Sequence, residues 1–417
     1  MEEKALIIVP HQDDETDLAG NIIDVIKSQY DLFIFYSSLD ADPKRGTVRK
    51  QEAIAACGVW GITEDHLAFL DYPDTANSHG HHYYTDGNHE IIDALRRYIF
   101  ELKPSIIFAT DFDYHSDHRM LSLAFDTAMG RLLKESKNYH PTVLKGFCYE
   151  TAFYSAEDYK ASCPGDSVSN IDPLSNPSYE WNKRISIKSF EKAGPIWTRK
   201  AYKALKKHRS QYAVLHARSI VNQDNVFWLR RTDNLLLSAN ISSAVDNVEK
   251  IRDYIILDTD DIITTDPRKI DYSKACCDLR EGDWIKAEWD EPIKFDRIVI
   301  HGSINNDKEV QAGIRIIADD AVIENLELIR AYGRDTELVL KPLFCKKITF
   351  EIVSGSASIS EIEVLNGQNS VDVQKRWVAS NELKPKCKFI DAIDAIGYKW
   401  IIFATRLRRK LTNTFLG

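Results

Sequence analysis

The stretch "ALIIVPHQDDETDLAGNII", residues 5–23, decides how the first half of this chain folds. Its opening run, Ala5–Val9, is continuous and apolar, as expected of a parallel strand buried on both faces. Pro10 breaks the run, and His11, Gln12, Asp13, Asp14, Glu15 and Asp17 follow at once. Apolar residues then return at Leu18, Ile22, Ile23, Val25 and Ile26, a spacing that predicts a helix over 18–30. Acids are favourable in a first helical turn because they face the positive end of the macrodipole. Capping therefore accounts for Asp13, Asp14 and Glu15, but it gives His11 no role.

The same alternation continues outward. Leu32–Tyr36, Leu67–Leu70 and Ser105–Thr110 are short apolar runs. Between them lie helical patterns over Val48–Cys57, ending near Gly58, and over Ile91–Leu102, stopped by Pro104. Strands alternating with helices of this length predict an α/β unit over residues 1–238, a Rossmann-like parallel sheet with helices on both faces. Ligands of such sheets bind in the crevice beyond the carboxyl ends of the strands. "PHQDDE" follows the first strand there, and "DFDYHSDHRM", residues 111–120, follows the strand at 105–110. The two most polar constellations of the chain should therefore meet on one sheet edge.

His11, Asp14, His115, Asp117 and His118 carry nitrogen and oxygen donors of the kind that hold zinc or a similar divalent ion. A catalytic site of that kind keeps three protein ligands and one position for water, and a neighbouring carboxylate can take that water's proton. Asp13 is placed for the latter task, and a cation would offset the crowding of acids.

These residues resemble the PIG-L/LmbE-like zinc-dependent de-N-acetylases. "PHQDDE" and "HSDH" are similar to that family's paired signatures, and "RKQEAIAACGV", "LDYPDT" and "HRSQY" to further family elements, over about residues 4–235. The resemblance implies removal of an acetyl group from an N-acetylglucosamine-type sugar or glycoconjugate. It further implies one Zn2+ per chain, with Fe2+ as an alternative, held by His11, Asp14 and His118. Asp13 would be the general base, and His115 would stabilise the oxyanion and protonate the leaving amine, with Asp117 orienting it. Arg49 and Asp74 would contact the sugar, and Tyr114 would assist the oxyanion. Gln12 stands where the family has proline, which predicts only a local backbone effect. Two rivals stay open: a metal-dependent amidase acting on another amide-linked conjugate, and a catalytically inactive carbohydrate-binding protein.

Other features are read more plainly. The glycine-rich "NSHGHHYYTDGNHE", residues 77–90, reads as a loop at the rim of the site rather than a second metal site. His208 reads as a polar group near the site or at a domain seam, and Cys57 and Cys148 as small core residues.

After residue 238 the helical spacing gives way to short alternating runs, among them "DWIKAEW", "FDRIVIHGSI", "AGIRIIADD", "KKITFEIVSG" and "ISEIEVLNG". These predict an antiparallel β-sandwich over 239–369. It resembles a discoidin or coagulation-factor C-type module, a galactose-binding-like jelly roll, which implies carbohydrate binding. The alternative is a structural or oligomerising role. Trp284, Trp289 and Tyr332 are candidates for its rim or for its core.

The tail, 370–417, ends in "KWIIFATRLRRKLTNTFLG", apolar and basic without an acid. It predicts an amphipathic helix that either lies on an anionic membrane surface or packs on a neighbouring unit.

Composition sets the outer bounds. At 417 residues the chain is long enough for two or three domains. A formal net charge of −9 argues against a nucleic-acid partner. Seven cysteines without a framework pattern, and Glu2 and Glu3 where a signal peptide would be basic, lead to the expectation of a cytoplasmic protein, membrane contact being at the inner face. The oligomeric state is left open.

Overall fold

The structure, a computed structural model, describes residues 3–40, 42–74, 90–113, 115–148, 185–191, 195–217, 219–220, 224–258, 273–302, 312–328 and 335–367, with most of 396–410. Residues 77–89 of the expected rim loop at 77–90, Tyr114 and Tyr332 lie outside the described residues, and Glu90 begins a helix.

The first unit is built on a seven-stranded sheet of order β3-β2-β1-β4-β5-β7-β6. Its strands are β1 (Lys4–Val9), β2 (Asp31–Leu39), β3 (Leu67–Pro73), β4 (Ile106–Thr110), β5 (Thr142–Gly146), β6 (Ile185–Lys188) and β7 (Asp224–Arg230). β1 to β5 pair in parallel, whereas β7 runs antiparallel to both β5 and β6. The sheet is therefore mixed at one edge. The apolar runs explain the parallel part, since β1 and β4 are buried almost throughout.

Helices cover both faces. On one side α1 (Asp14–Ala19), α2 (Ile23–Lys27), α3 (Pro43–Cys57) and α6 (Lys200–Leu205) contribute to a core containing Ile7, Val9, Ile34, Ala53 and Leu205. On the other, α4 (Glu90–Leu102) and α5 (Ser116–Glu135) pack over Leu6, Ile8, Ile107 and Val143. The single helix expected over 18–30 is two helices. The chain turns at Asn21, whose side-chain amide donates to the Ser219 and Asp224 carbonyls, 3.1 and 2.9 Å away. The Asn21 backbone N–H donates to Asn225 Oδ1 at 3.1 Å instead of to a carbonyl one turn back, and α1 ends at Ala19.

The second unit is a six-stranded sheet with β8 (Asn240–Ser243), β9 (Cys277–Arg280), β10 (Trp284–Gly302), β11 (Ala312–Ala318), β12 (Ala321–Leu328) and β13 (Thr336–Leu365). Every alternating run named above except residues 303–304 of "FDRIVIHGSI" falls in β10, β11 or β13 or within two residues of their ends. The strands run in opposite senses: Trp284 faces Glu351 while Glu288 faces Lys347. Arg297–Ile300 pairs with residues 362–365 on one side and 336–339 on the other, which closes the strands around a third core of Ile285, Phe295, Ile314, Phe350 and Ile362. Trp289 belongs to that core, its indole N–H donating to the Leu235 carbonyl at 3.1 Å, whereas Trp284 is exposed.

The two units meet through buried polar contacts. Arg231 pairs with Glu363 at 2.8 Å, and the Asn234 amide donates to the Ile362 carbonyl at 2.8 Å. Beyond residue 238, Tyr254 and Leu257 return to the α4–α5 core. Gly130 of α5 permits this, because a Cβ there would collide with the Asp253 carbonyl.

Candidate metal centre

β1 and β4 are neighbours, so the turns that leave their carboxyl ends are brought side by side. The first turn carries His11, Asp13 and Asp14 into α1, and the second carries Asp113 and His115 into α5, whose first turn holds Asp117 and His118. The imidazoles of His11, His115 and His118 form a triangle with ring centroids 4.8, 5.0 and 5.3 Å apart.

Asp14 is the hub of this cluster. Its Oδ2 lies 2.9 Å from His11 Nδ1 and 3.2 Å from His118 Nε2, with all three residues buried. Donors about 2.0–2.2 Å from a tetrahedral ion stand a little over 3 Å apart, so this spacing suits a shared cation. The other nitrogen of each ring is also committed. His11 Nε2 donates to Asp117 Oδ2 at 2.8 Å, and His118 Nδ1 donates to Asp113 Oδ2 at 2.7 Å. A carboxylate behind each ligating histidine fixes its tautomer and raises its basicity, an arrangement typical of metal sites. Among the described residues, two overlapping groups have donors close enough together for one ion, His11–His115–His118 and Asp14–His118–Cys148, and between them they include the expected His11, Asp14 and His118.

Asp117 differs from expectation. It lies 3.9 Å from His115 Nδ1 and 2.8 Å from His11, so it orients His11 instead. His115 is held by the backbone: its Nδ1 accepts the Asp117 N–H at 3.1 Å at the start of α5. That bond leaves the ring proton on Nε2, as a donor. Burial, then the neighbouring His11 and His118, pushes the His115 pKa down to about 3, so the ring is neutral.

With protein groups alone, the ligands are strongly coupled. Burial lowers the pKa of His11, but Asp14 and Asp117 raise it to about 9. Burial likewise opposes charge on Asp14, yet His118 and His11 hold it well below the carboxylate range.

Asp13 sits just before α1 with φ 151°, a conformation that costs a non-glycine residue about 1–3 kcal/mol. Burial and the adjacent Asp14 raise its pKa, which suits a proton acceptor.

The remaining acids of the opening stretch each have a histidine. Glu15 lies 3.0 Å from His208, both fully buried, so His208 is indeed beside the site. Asp17 lies 2.8 Å from His216 Nδ1, which stands 3.9 Å from Asp13. Against burial, Asp17 raises His216 to about 9, so a cation faces the Asp13 carboxylate. Sequence reading missed His216 and Asp113. No spacing connects residue 216 with residue 17, whereas Asp113 stood inside the quoted "DFDYHSDHRM" and could have been found by asking what holds the second nitrogen of His118.

Arg49 of α3 and Asp74 beyond β3 meet at 3.1 Å, with Asp40 3.9 Å from the same guanidinium nitrogen. Gln12 is buried, and its amide donates to the Ser38 carbonyl, pinning the turn after β1 to the end of β2. Cys57 and Cys148 are buried core residues as expected, and the Cys148 thiol also lies within 4.8 Å of the Asp14 and His118 donors.

Comparison with known proteins gives three kinds of result. No curated relative matches the chain. Among solved structures, the N,N'-diacetylchitobiose deacetylase from Pyrococcus horikoshii is 14% identical over 55% of this chain and 84% of its own, with a TM-score of 0.35. GalB, the 4-carboxy-2-hydroxymuconate hydratase from Pseudomonas putida KT2440, is 14% identical over 54% and 95%, with a TM-score of 0.36. A fucose-binding module of Streptococcus pneumoniae, SpX-3, is similar to the C-terminal region, 15% identical over 32% of this chain and 98% of its own, at a TM-score of 0.26. At these scores the likenesses are loose. The sequence match is to a family, and it spans both turns of the site: residues 6–129, which hold His11, Asp14 and His118, match the PIG-L family, described as GlcNAc-PI de-N-acetylase.

Proposed function

We propose that the protein is a metal-dependent hydrolase that removes the acetyl group from an N-acetylated amino sugar of the N-acetylglucosamine type. The observation that carries this is the convergence of His11 Nδ1, Asp14 Oδ2 and His118 Nε2 within the stretch that matches the PIG-L family, with a carboxylate behind each ring. A divalent ion held there, for which zinc is the first candidate, would polarise a water and bring its pKa to about 7.

The chain's own groups then divide the work. Asp13 accepts the proton that the attacking water loses, aided by its raised basicity and by its place beside the ligand Asp14. The electron pair of the acetamide C=O moves onto oxygen, and the Nε2–H of neutral His115 donates to that oxyanion. The C–N bond breaks as the amine nitrogen takes up a proton. Asp13 is the better source for it, because His115 at neutral pH holds no second proton to give. Water and amide are thereby converted to acetate and amine with no redox step. Arg49, fixed by Asp74, presents a cation and a carboxylate suited to hydroxyls of the sugar ring.

The β-sandwich, taken as residues 239–369, is read as a carbohydrate-contacting module with the exposed Trp284 on its rim. It would raise affinity for polymeric or anchored glycans by effective concentration without entering the chemistry.

The test is acetate release from a panel of N-acetylhexosamine glycans and glycolipids, with metal content measured on the same sample. Metal-loaded, folded protein that releases acetate from none of them, while cleaving another amide, would overturn the substrate class.

A further inference from the structure

The described part of residues 396–410 is helical, and it exposes an apolar stripe. Ile396, Trp400, Phe403 and Leu407 are 70, 67, 58 and 47% exposed. Their spacing of four, three and four residues keeps them within about 60° of arc at about 100° per residue. The Trp400 and Phe403 rings stand 5.9 Å apart along this stripe.

A different face holds the helix to the protein. Ile401 packs against the core that contains α1, α3 and α6, and Gly397 is buried against Trp197, leaving no room for a Cβ. These two positions lie roughly a quarter-turn or more from the exposed stripe. Trp197 is itself 45% exposed, which extends the apolar surface beyond the helix. The stripe is therefore not the packing face of this helix.

Charge says what can cover it. Lys399, Arg406 and Lys410 are exposed and flank the stripe on the side away from Ile401. The sequence adds Arg408 and Arg409, and no acidic residue occurs from 395 to 417 in a chain whose net charge is −9. Concentrated positive charge beside exposed tryptophan and phenylalanine matches an interface of anionic headgroups over acyl chains, where aromatic rings and basic side chains both settle. Among the described residues no helix is long and apolar enough to cross a membrane.

We infer that residues 396–410 dock the protein onto an anionic lipid surface, with Ile396, Trp400, Phe403 and Leu407 in the interfacial zone and Lys399, Arg406 and Lys410 on the headgroups. The helix lies along the surface, since Ile401 and Gly397 keep its opposite side on the protein. This inference does not rest on the proposed chemistry.

The experiment is co-sedimentation of the full chain with vesicles of phosphatidylcholine mixed with phosphatidylglycerol, and with phosphatidylcholine alone. Binding is expected to the anionic vesicles, weaker to the neutral ones, and to fall with added salt. A Trp400→Ser/Phe403→Ser variant should lose about tenfold or more in partition. A Lys399→Gln/Arg406→Gln variant should lose the preference for anionic vesicles. Thermal melting and metal content of both variants should match the parent, because all four side chains are exposed.

Absence of binding to the anionic vesicles would overturn the inference, as would unchanged binding of the apolar variant. It is equally overturned if the stripe joins two copies: a concentration-dependent dimer in vesicle-free solution that the Trp400→Ser/Phe403→Ser variant abolishes.

Discussion

Replacing Asp113 with asparagine tests the metal centre at a residue that touches no ion. The two oxygens of Asp113 accept, among others, the His115 backbone N–H at 2.9 Å and His118 Nδ1–H at 2.7 Å. Asparagine offers one carbonyl, and its NH2 would face one of those donors. Both His118 and Asp113 side chains are fully buried, so water cannot replace the lost acceptor. Partners of this kind are worth about 10–100-fold in metal affinity, or about 1.4–2.8 kcal/mol. The Kd for Zn2+, measured by competition with a chromophoric chelator, is therefore expected to rise by about 10–100-fold in Asp113→Asn while the fold is kept. Asp320→Asn, 97% exposed on the second unit, should leave it unchanged. A Kd for Asp113→Asn within about twofold of the parent would refute the reasoning, because a histidine that ligates needs its other nitrogen held.

Three further outcomes are expected. His11→Ala and His118→Ala should each abolish metal retention, whereas Asp13→Asn should keep the metal and lose about 10²–10⁴ in turnover; loss of metal from Asp13→Asn as complete as from Asp14→Asn would show the two roles wrongly divided. At the seam, burial opposes charge on His301, but Asp335 at 2.9 Å and Glu363 at 3.4 Å raise its pKa from 6.5 to about 10. A folded-state pKa above the unfolded one stabilises fully below pH 6.5 and is lost as pH rises to about 10. The melting temperature should fall across that window, and His301→Gln should flatten the fall. A chain ending at residue 258 should melt roughly 10 °C above one ending at 238, since burying Tyr254 and Leu257 is worth about 1.5–3 kcal/mol each.

What the sequence disclosed and what it hid follow one rule. Contacts between near neighbours in the chain leave a pattern, and contacts between distant ones leave none. The apolar runs of β1 and β4 and the density of His and Asp just beyond each located the site, because those groups sit within a few residues of one another. The break at Asn21 was illegible, since its partners are Asn225, Ser219 and Asp224, some two hundred residues on. His216 was hidden for the same reason, its partner being Asp17. The orientation of Asp117 needed coordinates too: two histidines flank it in sequence, yet it serves a third from the other turn. In the second unit, alternation marked the strands and put Trp284 and Trp289 on opposite faces of β10, but it did not say which of the two is core. The structure puts Trp289 on the core face with Ile285 and Ala287, and Trp284 on the exposed one.

The return of Tyr254 and Leu257 to the α4–α5 core has a consequence for the order of events on the ribosome. The face of α5 around Gly130 is covered by residues 253–257, so the first unit cannot finish its own packing when its last sheet strand, β7, emerges. Until the later segment leaves the exit tunnel, a strip of apolar surface on α5 stays open to solvent and to other nascent chains. The same tie means that the second unit begins to fold with its leading segment already anchored to the first through Tyr254 and Leu257, and Glu361 joins Tyr254 only when β13 emerges. Between the emergence of β7 and that of residues 253–257, the open strip is a site for misassembly and for chaperone capture.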